Sequence, residues 1–529
     1  MNKKEVQFSI LRNVSITAFL TFISRIFGLI RTSVIAFFLG TTYQADAFTI
    51  AFKIPNLLRR LSAEGALTAA FVPVFSDLVE ADRTGNEEKR KDFFNIVFTF
   101  LLLSLVVIVL AGIIFSPVII RLFYIISDIE PGKLIVAQSL LRIMFPYILF
   151  ISLAALMQGV LNSYSNFSVP AFTPVLLNIS IISFGYFLQR HFKLPSYCFA
   201  YGVLIGGILQ FSFQLPWLYR LGFRLKLNLH FRHPMLKKML LLMLPGAFAA
   251  GIYQINNIAT DPIALSLGEG AASSLMYSRR LMELPLGIFA VSVATVILPL
   301  FSRHVSQGKN IELKKDIVFS FRLICIMFFP VIIYTLFLRE DIVTAVFKRG
   351  RFDATSLAIT SQCLFYHILG ILFVALYRII LPIFYSFKDT KTPVKVAFIM
   401  LFINVFLAFY FSRVLKMHAP GIALSSSVNA FLNFIILFVI IYRRIKGLDM
   451  KPVLITAVKL VFSLVLPGIL IFIIMKSAIV NEVIEKYFYF HMPSTVIAVI
   501  NILVTGVVIL PVYIVFLSNI KNIRGKRAK

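Results

Sequence analysis

Long apolar stretches, each cut off by a short polar or charged connection, recur along all 529 residues. A helix needs about 20 such residues to cross a bilayer, and stretches long enough to do so occur about 14 times. They predict spans near 12–39, 44–76, 93–123, 134–161, 169–190, 196–219, 238–267, 271–302, 316–338, 356–385, 394–412, 419–442, 452–475 and 495–518. The neighbours that meet near positions 40 and 268 are joined by very short turns. The fold class predicted is an all-α polytopic membrane protein.

The polar connections set orientation and organisation. With the N-terminus in the cytoplasm, DLVEADRTGNEEKRKD, RLGFRLKLNLHFRHPMLKK, SRHVSQGKNIELKKD, FKDTKTPVK, RRIKGLDMKP and the tail KNIRGKRAK all fall on that side. That is the positive-inside pattern, and an even helix count with both termini inside is its consistent solution. The chain also repeats itself. LG at 39–40 matches LG at 267–268, PVFS (73–76) matches PLFS (299–302), and YSNFSVP (164–170) followed by Asn178 is echoed by YSFKDTKTP (385–393) followed by Asn404. The offsets are all about 221–228 residues, as an internal duplication leaves them. Two pseudo-equivalent six-helix lobes are expected, 1–222 and 223–446, with 447–529 adding a final helix pair and a basic cytoplasmic tail. Two such halves about a central cavity are the usual construction of an alternating-access transporter.

Composition and the start of the chain sharpen this picture at four points. At 59% hydrophobic, 14% charged and mean hydropathy +0.90, the chain is outside the range of soluble proteins of its length. Its formal charge of +29 lies mostly in loops, and no basic run is interleaved with aromatics as a nucleic-acid surface requires. Cys198, Cys325 and Cys363 have neither metal nor disulfide spacing. The basic start, MNKKEVQFSILRN, precedes an apolar stretch without a small-residue cleavage site, so an uncleaved first helix is expected.

Candidate chemistry sits where charge interrupts the apolar pattern. SRIFGLIRTSVIAFFLG (24–40) carries Arg25 and Arg31, and DAFTIAFKIPNLLRRLSAEG (46–65) carries Asp46, Lys53, Asn56, Arg59, Arg60 and Glu64. A cation at the bilayer centre costs roughly 2.5–3.5 kcal/mol on the mild insertion scale, so such residues must face water or an anion. A cationic chamber for a polyanionic substrate is the default reading. Arg25 and Arg31 lie about 120° apart on an ideal helix, so their convergence needs local unwinding at Gly28. Otherwise one of them snorkels to the interface. Asp46, Lys53, Arg60 and Glu64 form one polar stripe at spacings of 7, 7 and 4. Pro55 can rotate the following turn, and the pair at 59–60 is otherwise the cytoplasmic end of the span. In the second half, MYSRRLMELP (276–285) sets Tyr277, Arg280 and Glu283 three residues apart on one face, with Arg280 either gripping substrate or paired to Glu283. Arginine's planar fork suits a bidentate hold on phosphate or carboxylate.

Gln158, Asn162, Asn178, Gln254, Asn256, Asn257, Asp261, Asn404 and Asn429 read as interhelical hydrogen-bond partners. His304 and His367 stand isolated, and no cluster has metal spacing. The absence of a Walker sequence, a Ser/His/Asp set or a Gly-rich phosphate loop argues for a transporter and against an enzyme. Energy then comes from an ion gradient or the membrane potential.

SRIFGLIR, DAFTIAFKIPNLLRRLSAEGALTAAFVPVFS, YSRRLMELPLGIFAVSVATVILP and FYSFKDTKTPVK resemble the MurJ (MviN) lipid II flippases of the multidrug/oligosaccharidyl-lipid/polysaccharide exporter superfamily. The resemblance runs nearly the whole chain in order. It implies 14 helices in two six-helix lobes plus a pair that grooves a polyprenyl tail. It also implies transport of undecaprenyl-pyrophosphoryl-disaccharide-pentapeptide from the inner to the outer leaflet of the bacterial cytoplasmic membrane. By matched motif, Arg25, Arg31, Arg59 and Arg280 resemble the cavity arginines that engage the diphosphate, and Asp46 a functionally important acid. Lipid II, membrane lipids and the cell-wall synthesis machinery are the partners implied, and no cofactor is. Two departures matter. Thr32 stands where the family usually has an acid, which removes or replaces one cavity salt bridge. Asp261 is one position off, and Ala408 replaces, the acids through which some members bind sodium, so resetting by potential or protons is expected instead.

Three other readings share the pattern: an exporter of another polyprenyl-linked glycan or of drugs, a membrane-embedded transferase, and a non-transporting cell-wall scaffold. Drug exporters favour acidic cavities for cationic cargo, a transferase needs catalytic acids near the interface, and a scaffold needs no intramembrane arginines.

Overall fold

The computed structural model describes residues 3–59, 67–81, 87–127, 130–476, 493–503 and 505–506. Among these, regular structure is helical throughout, and ten helices are long and apolar enough to cross a membrane. All ten fall on stretches read as spans from the sequence. The remaining four stretches are also helical where described: 44–76 holds α2 (Tyr43–Arg59) and α3 (Thr68–Ala81), and 238–267 holds α10 (Pro234–Ile258) and α11 (Asp261–Leu265). Stretch 452–475 lies within α18 (Lys451–Lys476), and 495–518 is helical over Ser494–Leu503.

Packing divides the chain into two compact units, Met1–Ser273 and Ser274–Lys529. The first contains α1 (Lys3–Leu39), α2, α3, α4 (Glu87–Ile114), α5 (Ser116–Phe123), α6 (Pro131–Met144), α7 (Tyr147–Ser163), α8 (Ser168–Ser183), α9 (Pro195–Arg220), α10 and α11. α7 is buried on nearly every side and forms the centre, touching α3, α4 and α9. A helix apolar all round is what such a position needs. Gly202 and Gly206 on α9 let its backbone close on α8; a Cβ there would sit 3.0 and 3.1 Å from the Cα atoms of Ile181 and Leu177. This is small-residue packing, the means by which helices associate without a hydrophobic driving force. α10 touches α3 and α4, and α11 touches α5, so residues 234–265 pack with the first unit.

A strap without regular secondary structure, 223–230, leads towards α10. Backbone outside a helix leaves donors that need partners, and α4 supplies two of them. The Lys226 N–H donates to Asn95 Oδ1 (3.1 Å) and the Asn228 N–H to Thr99 Oγ1 (2.8 Å), one helical turn apart. Phe223 at the head of the strap is fully buried among Phe75, Phe94 and Tyr164.

The second unit holds most of α12 (Ala271–Pro285), then α13 (Val291–Ser306), α14 (Asn310–Phe347), α15 (Ala354–Ser386), α16 (Lys391–Phe409), α17 (His418–Arg444) and α18. Its core forms where helical stripes meet: Ile317, Phe321, Ile324 and Phe328 on α14 face Ile371, Ala375, Ile379 and Ile383 on α15, closed by Phe434, Leu437 and Ile441 on α17. The outward stripe of α16 is equally apolar, with Phe398, Phe402, Phe406 and Phe409 exposed at helical spacing. Such a stripe is unfavourable against water and at home against lipid. α18 docks on α14 through Arg322 Nε to Thr456 Oγ1 (3.0 Å), and Asn501 Nδ2 donates to Asp341 Oδ1 (3.1 Å). Residues 477–492 and 507–529, which include the rest of the expected final pair and the basic tail, lie outside the described residues.

Local backbone features recur at the spacing of the sequence repeats. α8 and α16 both end in a π-turn, at Phe184–Leu188 and Tyr410–Val414, and Ser165 and Lys388 both take left-handed φ values, 59° and 57°.

Candidate functional site

The cations of the first unit are positioned by α1 and α2. α1 runs as one helix through Gly28, without the local unwinding that convergence of Arg25 and Arg31 requires, so the two keep their separate azimuths. Near Arg25, α1 is tied to α8 by Asn178 Nδ2, which donates to the Ser24 carbonyl at 3.2 Å. The Arg31 guanidinium lies over the Phe52 ring, 5.6 Å from its centroid, a cation–π contact that joins α1 to α2. Thr32 takes no salt bridge: buried, it donates back to the Gly28 carbonyl at 2.9 Å.

On α2, the polar stripe meets a specific partner at each described level. Asp46 is only 4% exposed, and both its oxygens are taken, Oδ2 by the Gly270 N–H and Oδ1 by the Ser273 N–H, each at 2.7 Å. A carboxylate receiving two charge-assisted bonds is a clamp on the 270–273 turn and the start of α12. Next to it, Lys133 on α6 pairs with Glu269 at 2.6 Å and lies over the Tyr43 ring. Two turns further along α2, Lys53 Nζ meets Asp261 Oδ1 at 2.6 Å. At the end of the helix, Arg59 Nε donates to Asn56 Oδ1 at 2.9 Å, so Asn56 holds the arginine in place. Arg60 and Glu64 lie outside the described residues.

In the second unit, Arg280 and Glu283 approach to 3.4 Å with both side chains partly in the open. Tyr277 does not share their face. It is fully buried against Phe347 and Phe352, because the six-residue step to Glu283 turns about 120° around the helix. His304 and His367, expected to be isolated, both have partners: Asp316 Oδ2 at 2.9 Å from His304 Nε2, and Ser278 Oγ at 2.9 Å from His367 Nδ1. Asn404 accepts a long bond from Ser425, consistent with interhelical glue, while the side chains of Asn256 and Asn257 lie outside the described residues.

Sequence reading undervalued Asp261, Lys133 and Glu269. Each is a single charge near an element end, and its partner lies 136 or 208 residues away, beyond any helical periodicity. The one available signal was that Asp261 is an acid within an apolar stretch that also contains Gln254 and two asparagines.

The ten helices long and apolar enough to cross a membrane, with half-buried cations on α1 and α2, define a multi-pass membrane protein, and its family defines the class as transporter. A family model described as lipid II flippase MurJ matches residues 35–498. A lipid II flippase MurJ of Burkholderia cenocepacia is 36% identical over 430 residues, 80% of this chain and 82% of that one. The chain therefore belongs to the MurJ lipid II flippase family; it is a transporter of the bacterial inner membrane, not an enzyme. Among solved structures, a lipid II flippase MurJ in an inward closed conformation matches with TM-score 0.76 at 27% identity, covering 95% of this chain and 99% of that one. An inward-facing multidrug MATE transporter matches with TM-score 0.67 at 13% identity, over 81% and 98%, and shares the fold.

Proposed function

We propose that this protein carries lipid II, an undecaprenyl-linked disaccharide-pentapeptide diphosphate, from the inner to the outer leaflet by alternating access. The observation that carries the reading is the set of half-buried cations on α1 and α2, Arg25, Arg31, Lys53 and Arg59, in a chain of this family. Lipid-facing cations would be prohibitively costly, whereas cations facing a diphosphate are stabilised by it. Arg60, Glu64, Arg280 and Glu283 are the further substrate-binding residues of this reading.

In this reading both termini are cytoplasmic, and the lobes are 1–222 and 223–446. The Asp46 clamp and the Lys133–Glu269 pair then sit at the outer end of α2, where they hold the 269–273 turn in place. The exposed apolar residues of α18, among them Leu454, Val458 and Phe462, offer the polyprenyl tail a path that stays in hydrocarbon. Resetting is driven by the membrane potential or an ion gradient, without a cofactor. Contact with the cell-wall synthesis machinery would place the product where it is consumed. A drug exporter with cationic cargo is disfavoured by the sign of the charge.

The test is complementation of a strain depleted of its own flippase. Ala replacements of Arg25, Arg31, Arg59 or Arg280 should abolish growth at normal membrane levels of protein, and Lys replacements should restore it partly where a point charge suffices. Growth of all four Ala variants at wild-type rate contradicts the reading.

A further inference from the structure

Lys53 and Asp261 form the one cation–carboxylate pair in the first unit, among the described residues, that joins α2 to α11. The two partners differ in access. The Lys53 side chain is 27% exposed and Asp261 8%, so an anion arriving through solvent reaches the lysine and not the acid. Asp261 is also the dependent partner: Oδ1 is held by Lys53, while Oδ2 is buried and has no hydrogen-bond partner among the described residues. Removing Lys53 leaves a buried carboxylate without compensation, a strongly unfavourable state in a membrane interior.

The position of Asp261 makes that dependence consequential. It is the first residue of α11, a five-residue helix that leads within a few residues into the segment clamped by Lys133–Glu269 and Asp46. Movement of α11 away from α2 therefore pulls on the outer clamps through a short connection. Charges that face this region come from α2 (Asp46), α6 (Lys133) and the turn itself (Glu269), and the last two are satisfied by each other.

We propose that Asp261 is the positioning residue that couples cargo to opening: a phosphate group of the substrate displaces it from Lys53, and the uncompensated carboxylate then drives α11 and the following turn off α2. This rests on the reading that the cargo is a diphosphate. Before cargo binds, the pair keeps Lys53 ordered and the outer end closed. Afterwards, closure and occupancy of Lys53 exclude one another, which is the differential interaction that alternating access requires.

The experiment uses the full chain in vesicles with undecaprenyl diphosphate as the probe, and a Leu267→Cys reporter labelled by a membrane-impermeant maleimide. The native cysteines are buried, which keeps the background low. The probe should raise labelling in the otherwise unaltered protein. Asp261→Asn should bind the probe about tenfold more tightly, equal to about 1.4 kcal/mol, because the competing carboxylate is gone. Its labelling should no longer respond to the probe, because no carboxylate is left uncompensated, whereas Lys53→Met, which strands the Asp261 carboxylate, should label rapidly with or without probe. The charge-swapped Lys53→Asp/Asp261→Lys double variant restores the pair, so its labelling should be slow, and the probe should no longer raise it. Unchanged affinity together with an unchanged probe response in Asp261→Asn overturns the coupling and leaves the flippase reading standing. No binding of the probe by the unaltered protein overturns both.

Discussion

Asp46 was legible as an outlier, an acid heading a stripe of charges on an apolar helix, but its work was not. The spacing of 7, 7 and 4 predicts a face; its described members, Asp46 and Lys53, each meet a partner more than 200 residues further along the chain, where periodicity carries no information. Asn at position 46 would offer one acceptor and turn an amide N–H toward the other backbone donor. Each lost charge-assisted bond costs about 1.5–3 kcal/mol, so Asp46→Asn should speed hydrogen exchange of the Gly270 and Ser273 amides by about tenfold or more. Exchange at the wild-type rate would mean that the clamp contributes little. Gly270 supplies a second residue-level test. Its φ is +84°, and a Cβ there would collide with the Thr41 carbonyl oxygen, whereas Gly268, at φ +107°, has open space. Gly270→Ala should therefore lower thermal stability more than Gly268→Ala, which bears only the backbone strain of about 1–2 kcal/mol. Equal effects would argue against the close approach.

At the scale of elements, hydropathy located the helices well because lipid imposes length and apolarity on each segment independently. It failed where geometry depends on a neighbour. Gly28 permits unwinding, yet α1 stays helical, its Thr32 hydroxyl satisfied by the carbonyl one turn back. The loop motif FKDTKTP resolves into a cap. Asp389 accepts from the Thr392 N–H (3.0 Å) and hydroxyl (2.8 Å), and its Oδ2 also takes Arg444 at 2.8 Å, tying the start of α16 to the end of α17. Partial burial works to raise the Asp389 carboxyl, but these hydrogen bonds outweigh it and hold the group below the ordinary carboxylate value. A depressed folded value means that the stabilisation is complete above the unfolded value near 3.8 and is lost as pH falls through the folded one. The thermal stability of wild type relative to Asp389→Asn should therefore be constant from pH 7 to pH 5 and shrink only in stronger acid. A difference that changes between pH 7 and pH 5 would contradict the assignment.

For the whole molecule, the central claim is that cations within the membrane exist to carry a lipid-linked diphosphate across it. Family membership and fold are consistent with that claim, and the lipid-facing phenylalanines of α16 and exposed apolar residues of α18 suit a cargo whose tail never leaves hydrocarbon. Bulky or charged replacements along α18, such as Phe462→Arg, should slow transport more than they reduce the amount of protein in the membrane; parallel losses would assign α18 to folding alone. The most direct test of the claim is the accessibility of lipid II in the outer leaflet after acute depletion of this protein from cells that have no other flippase. The account predicts that accessible lipid II falls while total lipid II is maintained or rises, and that re-expression restores it. Unchanged accessibility after depletion would contradict the account.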